Sequence, residues 1–111
     1  MRGLVVVLLA VTAAAVLALP VVAATPKLQG TVGPGFTIKL QKKPTKAGKY
    51  TLVVSDRSDQ HDFHLTGPGV NVKTSVAKTG TKTFAITLKK GTYKFVCDPH
   101  RTSMKGSFTI R

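Results

Sequence analysis

Cys97-Asp98-Pro99-His100-Arg101-Thr102-Ser103-Met104 places a thiolate, an imidazole and a thioether within eight residues. These are soft donors, and soft donors select copper over magnesium, calcium or manganese. A lone cysteine on an apolar strand is ordinarily a small buried hydrophobe. Here Cys97 is the only cysteine of 111 residues, and Pro99, His100 and Met104 crowd behind it. We therefore expect it to be a metal ligand. Zinc hydrolysis is disfavoured, because Met is a poor zinc ligand and no open His₃ or His₂Glu set exists.

A second imidazole has to come from elsewhere, and Asp59-Gln60-His61-Asp62-Phe63-His64-Leu65 offers two. If this stretch is a strand, Phe63 and Leu65 mark its inner face; His61 shares that face and His64 takes the other. The expected ligands are His61, Cys97, His100 and Met104, with His64 at the surface or behind the ligands. A trigonal His₂Cys set with a long axial Met is the donor set of a one-electron copper centre. Three histidines are too few for a multicopper cluster. No spacing of Ser, His and Asp suggests a hydrolytic triad, so an enzyme is not expected.

Strands and turns must position these ligands, since no helical pattern stands out. Phe36, Ile38 and Leu40 alternate with polar residues, as do Tyr50, Leu52 and Val54, and later Phe84, Ile86 and Leu88. Gly67-Pro68-Gly69 and Lys89-Lys90-Gly91 are turn signals. Tyr93, Phe95 and Cys97 share one face, which aims the sulfur inward at the end of its strand. Pro99 stiffens the following turn, so that His100 and Met104 curl back towards the sulfur. Phe108 and Ile110 lie on a last strand. Six or more short alternating strands imply an all-β, antiparallel sandwich or barrel. Thr25 to Gln29 reads as a tail.

Gly91-Thr92-Tyr93-Lys94-Phe95-Val96-Cys97-Asp98-Pro99-His100, with Met104 and the upstream His61, resembles the closing strand and ligand loop of the cupredoxins. These are blue-copper proteins such as plastocyanin, pseudoazurin and amicyanin. The resemblance extends over nearly all of the domain in length and strand pattern. It implies a Greek-key β-sandwich, one copper ion cycling between Cu(I) and Cu(II), and one-electron shuttling between partner proteins. His100, on a loop at the tip, is then the expected electron exit. The family commonly carries Asn after the first histidine ligand, tying the two ligand loops together. Asp62 stands there instead, and facing Asp98 the two carboxylates would repel or share a proton. A copper-delivery protein using the same ligands is the competing expectation. A metal-free sandwich that contacts anionic surfaces through its lysines is a third.

The amino-terminal stretch is separate from this domain. Arg2 precedes an apolar run from Leu4 to Leu19, Pro20 breaks it, and Val22-Ala23-Ala24 supplies small residues. This pattern reads as a secretory signal peptide over residues 1–24, cleaved after Ala24 or Ala23, with an uncleaved anchor as the alternative. The run is shorter than the roughly 20 residues that span a bilayer comfortably. Residues 25–111 form the copper-binding domain, and an extracytoplasmic location follows. Domains this small usually need a staple, and with one cysteine a disulfide cannot supply it. A bound metal can.

Seventeen Lys and Arg against four Asp and no Glu give the chain a net charge of +13. Such a field favours acidic partners and anionic membrane or cell-wall surfaces. A redox protein partner with an acidic docking surface is expected, and the protein itself is expected to be a monomer. Nucleic acid is not, because the chain has neither an Arg-rich helix nor a stacking motif.

Overall fold

The period-two pattern produces eight strands: β1 (Lys27–Val32), β2 (Ile38–Gln41), β3 (Gly48–Asp56), β4 (His64–Gly67), β5 (Val70–Lys73), β6 (Gly80–Leu88), β7 (Gly91–Val96) and β8 (Lys105–Ile110). This computed structural model describes residues 2–15, 17, 19 and 24–111. Pro20, Val22 and Ala23 of the expected processing region lie outside the described residues. Among the described residues, no helix is long and apolar enough to cross a membrane.

The strands form two four-stranded sheets, ordered β2-β1-β3-β6 and β5-β4-β7-β8. They pack face to face as an all-β sandwich. Leu28, Val32, Leu40, Leu52, Val54, Ile86 and Leu88 from the first sheet meet Leu65, Tyr93, Phe95, Phe108 and Ile110 from the second. Burying each Leu or Phe of this set contributes roughly 1.5–3 kcal/mol. Two ring stacks lie between the sheets, Phe63 on Phe95 with centroids 5.5 Å apart and Tyr93 on Phe108 at 5.2 Å.

Three expectations need correction. The segment taken as a tail is largely strand β1, which runs antiparallel to β2 and parallel to β3, so the sandwich is not wholly antiparallel. Its centre is Gly30, where a Cβ would press on the Phe63 ring at 3.0 Å. Phe36 does not join the core: β2 begins at Ile38, and Phe36 is 70% exposed. His61 to Phe63 precede β4, and all three are buried. Strand alternation therefore does not govern them, although it selected the histidine that lies beside Cys97 and His100.

Every ligand candidate sits at one end of the sandwich. β7 ends at Val96, so Cys97 is the next residue, and β4 and β8 begin beside it with the registers His64↔Val96 and Val96↔Lys105.

Candidate metal centre

The turn after β7 is built by its own backbone. Asp98–His100 forms a 3₁₀ turn with Pro99 inside it, where a missing N–H is tolerated. His100 N–H donates to the Cys97 carbonyl at 2.9 Å, and Met104 N–H donates to the His100 carbonyl at 2.8 Å. Cys97 N–H donates to the Met104 carbonyl at 3.0 Å, closing the loop. Three of the four expected ligands are thus held on one short, internally bonded loop.

The fourth, His61, is fixed from the other side. Asp56 ends β3, and its carboxylate accepts from Ser58 N–H at 3.1 Å and from the Thr74 hydroxyl at 2.8 Å. The same hydroxyl accepts from Phe63 N–H at 2.9 Å, and Thr74 N–H donates to the Phe63 carbonyl at 3.1 Å. Asp56 and Thr74 are both buried, so these bonds clamp the His61 segment between β3 and the end of β5. Sequence reasoning missed this pair, because only the fold brings the two residues together.

The donor atoms converge. His61 Nδ1 lies 3.1 Å from His100 Nδ1, and each is 3.6 Å from Cys97 Sγ. The point equidistant from all three is about 2.0 Å from each, the length of an imidazole–metal bond and slightly short of the ~2.3 Å of a thiolate bond. Two imidazole nitrogens and a sulfur at these spacings fit one transition-metal ion without rearrangement. Cys97 is fully buried and His61 nearly so, whereas His100 is partly exposed. Met104 is buried in the same core, one turn beyond His100. Burial pushes the Cys97 thiol pKa up, so without a metal the sulfur keeps its proton at neutral pH.

Phe36 contacts this centre from outside. Its ring centroid is 5.2 Å from that of His61 and 5.0 Å from that of His100, edge-on to the latter. No sequence signal beyond its place in the Gly-Pro-Gly-Phe loop pointed to this contact.

Behind the ligands, the two loops are tied through Asp62, although repulsion from Asp98 or a shared proton is the expectation there. Its Oδ1 accepts from Asp98 N–H at 2.6 Å. Burial first, and then a hydrogen bond with the Asp98 side chain, raise the Asp62 pKa. Asp98 also loses solvent, but its bond with Asp62, then His64 and Arg101, outweigh this and hold its carboxyl below the usual range. The two shifts favour protonation of Asp62 ahead of Asp98, and a neutral carboxyl there would offer one acceptor and one donor, as an Asn amide would. His64 lies behind the ligands, with Nδ1 2.9 Å from Asp98 Oδ1 and Nε2 2.7 Å from Asn71 Oδ1. The cluster of Asp62, His64 and Asp98 is close enough to hold an ion, but its polar atoms already bond one another.

The profile of copper-binding proteins of the plastocyanin/azurin family matches residues 37–111. The fold is similar to that of reduced rusticyanin, with TM-score 0.60, 19% identity and 82% of each chain covered. It is also similar to dithionite-reduced auracyanin from the photosynthetic bacterium Roseiflexus castenholzii, with TM-score 0.56 and 19% identity, covering 80% of this chain and 99% of that one. No curated sequence matches the chain.

Proposed function

This chain belongs to the plastocyanin/azurin family of copper-binding proteins, and we propose that it is an extracytoplasmic carrier of single electrons between partner proteins. The observation that carries the proposal is the convergence of Cys97 Sγ, His61 Nδ1 and His100 Nδ1 within 3.6 Å of one another. Cys97, His61 and His100 would hold one copper ion, with Met104 on the same loop as a fourth donor. Copper bound there supplies a one-electron couple.

The protein's own part is to keep these donors still and to offer a way in. Two loops, one closed on itself and one clamped by Asp56 and Thr74, fix the donors whatever charge lies between them. Little reorganisation then accompanies a change of oxidation state. Cys97 and His61 are shielded from water, while His100 and Phe36 present their edges outward. His100 is the point of electron entry and exit. Arg57 and Lys105 are exposed at the same end of the sandwich, which suits a partner with an acidic docking surface. The apolar segment from Leu4 to Leu19 supports export.

Voltammetry of the copper-loaded protein tests this reading. A reversible one-electron wave, with copper retained through repeated cycles, is expected. Copper release on reduction would contradict it and favour copper delivery.

A further inference from the structure

Charge is divided between the two ends of the sandwich. All four carboxylates, Asp56, Asp59, Asp62 and Asp98, lie at the metal end: Asp56 closes β3, Asp59 and Asp62 follow it, and Asp98 follows β7. Seven cations accompany them there: Lys39, Arg57, Lys73, Lys78, Lys82, Arg101 and Lys105. Strand β7, about 20 Å long at ~3.3 Å per residue, separates this end from the opposite one.

The opposite end is formed by the start of β1, residues 42–47 between β2 and β3, the β4–β5 and β6–β7 turns, and Arg111. It carries Lys27, Lys42, Lys43, Lys46, Lys49, Lys89, Lys90 and Arg111, all exposed, and no acidic residue; of these, Lys43 turns its ammonium back to 5.8 Å from the Phe95 ring centroid. Arg111 N–H donates to the Thr45 carbonyl at 3.1 Å, fixing the last cation against the 42–47 connection. Lys43, Lys46 and Arg111 line one groove there together with Thr45 and Thr109. Cations gathered on one end without a carboxylate repel one another, and an anionic surface relieves that repulsion.

The apolar amino-terminal segment joins the domain at this same end. Pro26 accepts from Thr51 N–H at 2.9 Å, so the chain enters β1 beside the basic turns. Where this segment is retained as an anchor, the apolar run from Leu4 to Leu19 emerges next to a lysine-rich face, and apolar contact and headgroup charge act together on anionic lipid; where it is cleaved, the lysine-rich face acts alone.

We propose that the basic end docks on an anionic lipid bilayer, leaving the metal end facing away from it and accessible to partners. A diffuse positive charge would not orient the domain, whereas eight cations gathered on one end do.

The test uses the full chain and vesicles of phosphatidylcholine, with and without phosphatidylglycerol. The apolar segment sets the binding to neutral vesicles, and the increase caused by the anionic lipid is the quantity read. Replacing Lys27, Lys46, Lys89 and Lys90 by Gln should reduce that increase by on the order of 10²–10³-fold, since each surface lysine contributes several-fold. Replacing Lys73, Lys78, Lys82 and Lys105 by Gln removes the same charge from the metal end and should reduce it by less than ~10-fold. Equal losses from the two quartets would overturn the proposal, as would an absence of any increase with anionic lipid. Binding to a soluble polyanion such as polyglutamate while anionic vesicles are ignored would also overturn it.

Discussion

Replacing Gly106 by Ala should damage the fold and the metal centre together. Gly106 lies opposite Phe95 across β7 and β8, and the Phe95 ring lies over its Cα. A Cβ placed there would sit 2.2 Å from Phe95 Cζ and 2.5 Å from Cε2. An ordinary carbon contact needs about 3.5 Å, so ring and strand must separate by over ~1 Å. The ring is also held by its stack on Phe63, nearly parallel at 4°. Overpacking of this kind costs about 1–3 kcal/mol. In a domain of this size each kcal/mol lowers the midpoint by about 4–8 °C, so a fall of roughly 5–20 °C is expected. Thermal unfolding of the metal-free variant, followed by near-UV circular dichroism, reads this directly. Phe95 is two residues before Cys97 and Phe63 two after His61, so the copper-loaded variant should also show a shifted visible spectrum. In a Phe95→Leu background the penalty for Gly106→Ala should shrink by about 1 kcal/mol or more, since contacting residues couple. A midpoint within about 2 °C of the parent, or a penalty unchanged when Phe95→Leu is also present, would refute the reasoning.

Other outcomes follow from the hydrogen bonds and charges at the two ends. Tyr93 Oη accepts from Lys89 N–H and donates to the Pro68 carbonyl, both at 2.9 Å; Tyr93→Phe should cost about 1–3 kcal/mol in urea unfolding, and a neutral result would contradict the role of this hydroxyl in joining the two turns. Asp62 has a raised pKa in the folded protein, so the fold favours its neutral form: this contribution is complete below about pH 4 and is lost as pH rises through the folded value. Asp62→Asn should therefore raise stability at pH 7 and leave it nearly unchanged at pH 3, and a loss at pH 7 would contradict a raised Asp62 pKa. Because burial raises the Cys97 thiol pKa, copper uptake at neutral pH should release a proton and strengthen about tenfold per pH unit below that pKa; calorimetry in buffers of different ionisation enthalpy would show it, and uptake independent of pH would argue against thiolate ligation.

The ligand loop was legible because its three candidate donors are local. Cys97, His100 and Met104 fall within eight residues, and their meaning depends on one turn after one strand. His61 was reached through the inward Phe63 and Leu65, although the segment bends and buries Asp62 as well. The proximity of Asp62 and Asp98 followed once both ligand loops were required to meet. What stayed hidden depends on long-range packing. β1 carries only Leu28 and Val32 inward, with Gly30 between them to make room for Phe63, so its alternation is faint. Phe36 continues the β2 pattern on paper, but the strand starts later and releases the ring onto the two histidines. Asp56 and Thr74 are 18 residues apart, and their clamp exists only after β3, β4 and β5 have assembled.

Titration of Cu(II) into the metal-free protein, followed in the visible region, tests the central claim most directly. One equivalent should give a saturating, intensely blue thiolate-to-copper absorption, and Cys97→Ser should abolish it while the far-UV spectrum of the fold remains. Weak absorption that continues to grow past one equivalent, or a band that survives Cys97→Ser, would contradict a copper centre built on Cys97, His61 and His100.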